Sequence, residues 1–183
     1  VDEPLDPRLN VDGTTGYDAL REFDGVFVNA NAAGALGELA REYSGSTWDA
    51  DAVAAAEWEL KARIANEELA PEVRRLARSV RRDNQATSPA TSDVTDAELT
   101  EVLVALVARM PVYRADYRCL SRVTPTLIAQ LAELGHNPAA LDLTAAALAT
   151  SGEASHRFAQ VCGAVMAKGV EDTLFYRACR LVA

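Results

Sequence analysis

The stretch TDAELTEVLVALVARMP, Thr95 to Pro111, decides the fold class. Thr95 and Glu98 stand three apart, so the hydroxyl and the carboxylate can each satisfy a free backbone N–H at a helix start. Leu99, Val102, Leu103, Leu106 and Val107 then recur at three- and four-residue spacing and predict a wide buried face. Pro111 ends the run, because its ring removes a backbone donor and restricts the residue before it. The class that follows is mainly α, with at most one or two short strands.

The same periodicity extends on both sides. Upstream, VDEPLDPRLNVDGTTGYD is rich in Pro, Asp and Gly and reads as a loop. Thr14 or Thr15 then caps a helix carrying Tyr17, Leu20 and Phe23. A second helix runs from about Ala33 to Tyr43 and stops at Ser44-Gly45-Ser46. Asp49 or Asp51 opens the longest pattern, in which Val53, Ala56, Leu60 and Ile64 trace the buried stripe and Glu59 and Lys61 lie outside it. Pro71 either kinks this helix or starts another, and Val73, Leu76, Ala77 and Val80 continue the stripe. Arg74, Arg75, Arg78, Arg81 and Arg82 form the opposite face, read as solvated and partly paired with Glu67, Glu68 and Glu72. NQATSPATSD, residues 84 to 93, is polar and aperiodic and reads as a mobile loop.

Downstream, PVYR at Pro111 to Arg114 leans toward an extended conformation. Thr124-Pro125 starts a helix with Leu127, Ile128, Leu131 and Leu134, ended by Gly135 and Pro138, and a short helix covers Pro138 to Ala149. A last helix runs from Glu153 to about Gly163, after which Ala164 to Lys168 reads as a buried strand. Gly169 is read as the turn that follows it.

Composition narrows the function. A formal net charge of −9 over 183 residues argues against a nucleic-acid or anionic-membrane surface. Cys119, Cys162 and Cys179 are odd in number and lack CxxC spacing, so neither a disulfide framework nor a zinc site is expected. His136 and His156 have no partners at metal-ligand spacing. No cofactor, no metal and no membrane span are expected, and a cytoplasmic location fits the cysteines and the lack of a signal-peptide pattern. A start without Met and an apolar end at Leu181-Val182-Ala183 suggest an excised piece.

Three separated stretches carry a resemblance: VDGTTGYDALREFDGVFV at Val11 to Val28, PVYR at Pro111 to Arg114, and VMAKGVEDTLFYR at Val165 to Arg177. In that order, with helices between them, they resemble the maltooligosyltrehalose synthases. The resemblance implies a (β/α)8-barrel glycoside enzyme that isomerises the reducing-end α-1,4 bond of a maltooligosaccharide to an α,α-1,1 bond. It implies three catalytic carboxylates used as in retaining glycosidases, all expected outside this chain, so the piece alone is expected to be inactive. Residues 1–32 would lead out of the barrel, 33–163 would form a helical insertion, and 164–183 would be a barrel strand and the start of its following helix. The partners implied are the maltooligosaccharide and the remainder of the barrel. A free-standing α-helical interaction module is the alternative.

The same resemblance places the candidate site at the end of that strand, where such barrels hold their active sites. Lys168 is the first candidate for sugar binding, since an ammonium offers three donors to hydroxyls. Tyr17 and Tyr176 are further candidates, each weighed against a core role, as is Phe175. Asp18 caps or orients Tyr17. Glu171 and Asp172 either support Lys168 or cap the next helix, with capping preferred. Arg114 pairs with a carboxylate of either motif, and Arg177 is read as a structural ion pair.

Overall fold

In a computed structural model the described residues are 10–13, 17–45, 48–85, 93–114, 116 and 120–178. They are helical, with no strand among them, and divide into two units, residues 1–48 with 180–183, and residues 49–179.

The first unit contains α1 (Tyr17–Gly25), a 3-10 turn (Ala30–Ala32) and α2 (Ala33–Ser44). Asn29 caps the turn by accepting from the Asn31 N–H at 3.1 Å. Gly45 ends α2 at φ 73°, with its N–H bonded to the Arg41 carbonyl, a left-handed cap that glycine adopts without a Cβ penalty. The apolar stripe predicted for α1 is present in register, yet Leu20 and Phe23 are exposed, as are Val26 and Phe27 just beyond it.

The second unit is a bundle of α3 (Ala50–Asn66), α4 (Ala70–Gln85), α5 (Asp96–Arg109), α6 (Val123–Glu133), α7 (Pro138–Leu148), α8 (Glu153–Met166), a π-segment (Ala167–Phe175) and a last turn, α9 (Tyr176–Ala178). Helix α5 is its axis and touches α3, α4, α6, α7 and α8. Leu99, Val102, Leu103, Leu106 and Val107 are each at most 1% exposed, so the face anticipated from spacing is the core. The capping box at Thr95 and Glu98 forms as expected, and Glu98 also accepts from the Asn137 side chain at 2.7 Å, tying α5 to the start of α7.

Asp49 caps α3 by accepting from the Ala52 N–H at 2.8 Å. Pro71 lies in the first turn of α4, so the chain makes two helices and not one kinked helix. The arginine face of α4 finds its carboxylates farther away than expected. Arg75 pairs with Glu72, but Arg81 pairs with Asp96 and Arg82 with Glu153. Residues 86–92 of the predicted loop lie outside the described residues, as do Cys119 and Cys179.

Two readings are corrected. The strand expected at Ala164 to Lys168 is helix, α8 passing without a break into the π-segment. Phe158, Val161, Cys162, Val165, Met166, Gly169 and Val170 recur every three to four residues, and all seven are buried, so the helical period simply continues. A helix also satisfies its own backbone, whereas a strand needs a neighbour, and none exists among the described residues. The second correction is Lys61, read as solvent-facing and in fact 2% exposed. Its burial is compatible with charge because its ammonium donates to the Met110 carbonyl at 2.6 Å and to Glu57 at 3.1 Å.

Candidate functional site

The π-segment carries the residues singled out by sequence. A π-helix spaces its hydrogen bonds five residues apart and recurs at functional positions. Here the Lys168 carbonyl accepts from the Thr173 hydroxyl, five residues on, at 2.8 Å. Inward, Gly169, Val170 and Leu174 are buried. Outward, Lys168, Glu171, Asp172, Phe175, Tyr176 and Arg177 are exposed.

Lys168 is fastened by a residue from the α3–α4 connection. Its Nζ stands 3.2 Å from Glu68 Oε2, with about half of each side chain open to solvent. Tyr113, from the irregular segment after α5, lies close enough to Glu171 and Asp172 for both to act on its hydroxyl. Burial first, then the neighbouring Glu171 and Asp172 carboxylates, disfavour the phenolate, so the Tyr113 hydroxyl is pushed well above the usual tyrosine range. The second and third resemblance motifs therefore meet through Tyr113 and Glu171. A single face then presents an ammonium, two carboxylates and a phenol held neutral, groups that donate to and accept from polyhydroxylated ligands.

Several roles expected from sequence change. Glu171 and Asp172 do not cap a helix, since helical backbone runs through them and no N-terminus exists there. Phe175 and Tyr176 are 46% and 68% exposed and are not core. Gly169 makes no turn and shows no positive φ; a Cβ there would lie 3.2 Å from Lys61 Cγ, so glycine permits α3 to approach closely. Arg114 forks onto Asp116, outside both motifs, Nε to Oδ1 at 2.9 Å, and that guanidinium holds the Asp116 carboxyl below the usual carboxylate range. Among the described residues Arg177 has no ion-pair partner. Tyr17 and Asp18 begin α1 of the first unit, and their side chains lie outside the described residues.

Sequence reading passed over Lys61, Glu68 and Tyr113. For Lys61 a signal existed: Ala65 lies four residues on, and a face wide enough to bury Ala65 beside Ile64 buries Lys61 beside Leu60. Glu68 and Tyr113 sit in irregular or connecting chain, where periodicity is silent. No group of three or more His, Cys, Asp and Glu among the described residues is arranged to hold a metal, and no helix is long and apolar enough to cross a membrane. Grooves of 740 Å³, along α3, α4 and α5, and 880 Å³, along α6 and α7, are not lined by Lys168, Tyr113 or Glu171.

No family model matches the sequence. Two curated proteins, from Mycobacterium tuberculosis strains CDC 1551 and H37Rv, carry the name "Putative maltooligosyl trehalose synthase". Each is 39% identical over 184 residues, matching 100% of this chain and 23% of its own length. The solved structure of maltooligosyltrehalose synthase from Arthrobacter ramosus superposes with a TM-score of 0.72 at 33% identity, covering 100% of this chain and 22% of that one. The chain is thus a mainly α-helical stretch similar, end to end, to part of much larger proteins, and it spans less than a quarter of their length. Along its whole length it is similar to a segment of proteins named maltooligosyltrehalose synthase.

Proposed function

We propose that this chain is the helical insertion of a (1→4)-α-D-glucan 1-α-D-glucosylmutase, and that its π-segment forms part of the wall of a sugar site. The protein as a whole isomerises the reducing-end α-1,4 linkage of a maltooligosaccharide to an α,α-1,1 linkage, a trehalose-forming reaction. The match of the whole chain, at 33–39% identity, to part of proteins named maltooligosyltrehalose synthase carries this reading. The exposed Leu20, Phe23, Val26 and Phe27 support it, because apolar side chains at this density ask for a covering surface, here the remainder of a barrel.

In this reading Lys168 donates to hydroxyls of the sugar nearest the scissile bond. Glu171 and Asp172 set the local charge, and Tyr176 offers an exposed ring to a pyranose face. Tyr17, next to Asp18 in the sequence, is a further candidate for sugar contact, and Arg114 and Arg177 have supporting roles. The reacting carboxylates belong to the parts of the relatives that this chain does not span, and the chain alone is inactive. No cofactor takes part, and the protein acts in the cytoplasm.

The test extends the protein in both directions to the length of its relatives and supplies maltopentaose. Formation of a non-reducing product by that protein, its absence with the 183-residue chain alone, and a loss of at least tenfold on Lys168→Ala are expected, the last being the size of one charge-assisted hydrogen bond, roughly 1.5–3 kcal/mol. A full rate in Lys168→Ala would remove Lys168 from the site, and release of glucose without isomerisation would replace the mutase reading with hydrolysis.

A further inference from the structure

We infer that Lys61 is a positioning residue, the joint that locks the Pro111–Arg114 segment against the π-segment and thereby sets Tyr113 on Glu171. Its ammonium holds the Met110 carbonyl at 2.6 Å, the point where the chain leaves α5 and turns into Pro111. Its stem lies under Gly169, whose missing Cβ would stand 3.2 Å from Lys61 Cγ and 3.5 Å from the Lys61 Cα and N. One buried side chain therefore touches both segments. Tyr113 and Glu171 face each other across the same two segments, three residues beyond Met110 and two beyond Gly169.

The choice of lysine argues for this role. A buried ammonium is costly to desolvate, and an apolar chain of similar length would fill the space without that cost. What the apolar chain lacks is a directed bond to a carbonyl at a helix exit, where intrahelical donors run out. Gly169 fits the same logic, since a Cβ there would crowd Lys61 Cγ at 3.2 Å, at the place where Lys61 must pass. Serving sugar binding through Glu171 and Lys168 rests on the function proposed above; holding Tyr113 in place does not.

The experiment labels the 183-residue chain with 13Cζ-tyrosine, assigns Tyr113 by loss of its signal in Tyr113→Phe, and follows the resonance with pH. In the wild type Tyr113 titrates above the ordinary tyrosine range. Lys61→Met is expected to shift the resonance at neutral pH and to move the titration back toward that range. Leu131→Ala, which removes core packing elsewhere, is expected to lower Tm and leave Tyr113 unmoved, which separates positioning from general loss of stability. If Lys61→Met does not fold, Gly169→Ala gives the same readout through a milder push. An unchanged Tyr113 resonance and titration in whichever variant folds would overturn the inference. In the protein of full relatives' length, Lys61→Met is expected to raise KM for maltopentaose more than it lowers kcat. Release of glucose without isomerisation by the protein of full relatives' length, alongside a displaced Tyr113 in Lys61→Met, would sink the proposed function and leave the joint standing.

Discussion

Lys168 Nζ lies 3.2 Å from Glu68 Oε2, so the side chain proposed to touch sugar is held by a carboxylate one hundred residues earlier in the chain. Both groups are about half exposed, and such pairs contribute at most about 1 kcal/mol to stability. Glu68→Gln should therefore leave the urea midpoint of the chain nearly unchanged. In the full-length protein it should raise KM several-fold, because the ammonium loses its fixed direction. A large drop in stability with unaltered KM would show that the pair serves the fold alone.

The core makes a sharper thermodynamic prediction. Leu103 is 0% exposed on α5, the helix that every other major element of the bundle contacts except the π-segment, whereas Leu134 at the end of α6 is 61% exposed. Leu103→Ala should cost about 2–5 kcal/mol, the usual price of a buried cavity, while Leu134→Ala should stay within about 0.5 kcal/mol. Chemical denaturation of the two variants distinguishes them directly.

Helix α5 also depends on its capping box. Thr95→Ala should destabilise by about 1 kcal/mol, since the N-terminal N–H groups lose an acceptor. The Thr95 hydroxyl and backbone N–H hold the Glu98 carboxyl below its ordinary 4.5. A lowered carboxylate contributes stability above its unfolded value and loses it as pH falls through the folded one. Stability should thus decline below about pH 4.5, less steeply in Glu98→Gln, as followed by circular dichroism across an acid titration.

Helix α8 is capped from outside itself. Asp83 of α4 accepts from the Ala154 N–H at 2.9 Å, and a Cβ on Gly152 would come within 2.5 Å of that same carboxylate oxygen. Gly152→Ala and Asp83→Ala should each destabilise by roughly 1 kcal/mol, and the double variant by less than their sum, because both remove one contact. Additive losses in a double-mutant cycle would separate the two sites.

Local patterns were legible where a single helix face decides burial. The stripe of α5, its Thr95–Glu98 box and the Gly45 and Gly135 stops all follow from residues within one or two turns, whereas Pro71 leaves a kinked helix and two helices equally open. The family resemblance likewise lies in contiguous motifs. Reading failed at Ala164 to Lys168, where a short apolar run viewed alone fits either a strand or a buried helix. A longer window, Phe158 through Leu174, carries the helical period that settles it.

The sequence by itself determined that this chain is mainly helical, where its largest apolar faces lie, and which family its motifs resemble, because period, capping and turn chemistry act between neighbours along the chain. Only the tertiary structure decided that Lys61 is buried, that Glu68 holds Lys168, and that Tyr113 meets Glu171. Those contacts span 49, 100 and 58 residues, and no local pattern encodes them. They arise because α3 passes close enough to Gly169 for a buried charge to find a carbonyl, and packing of whole helices sets that distance.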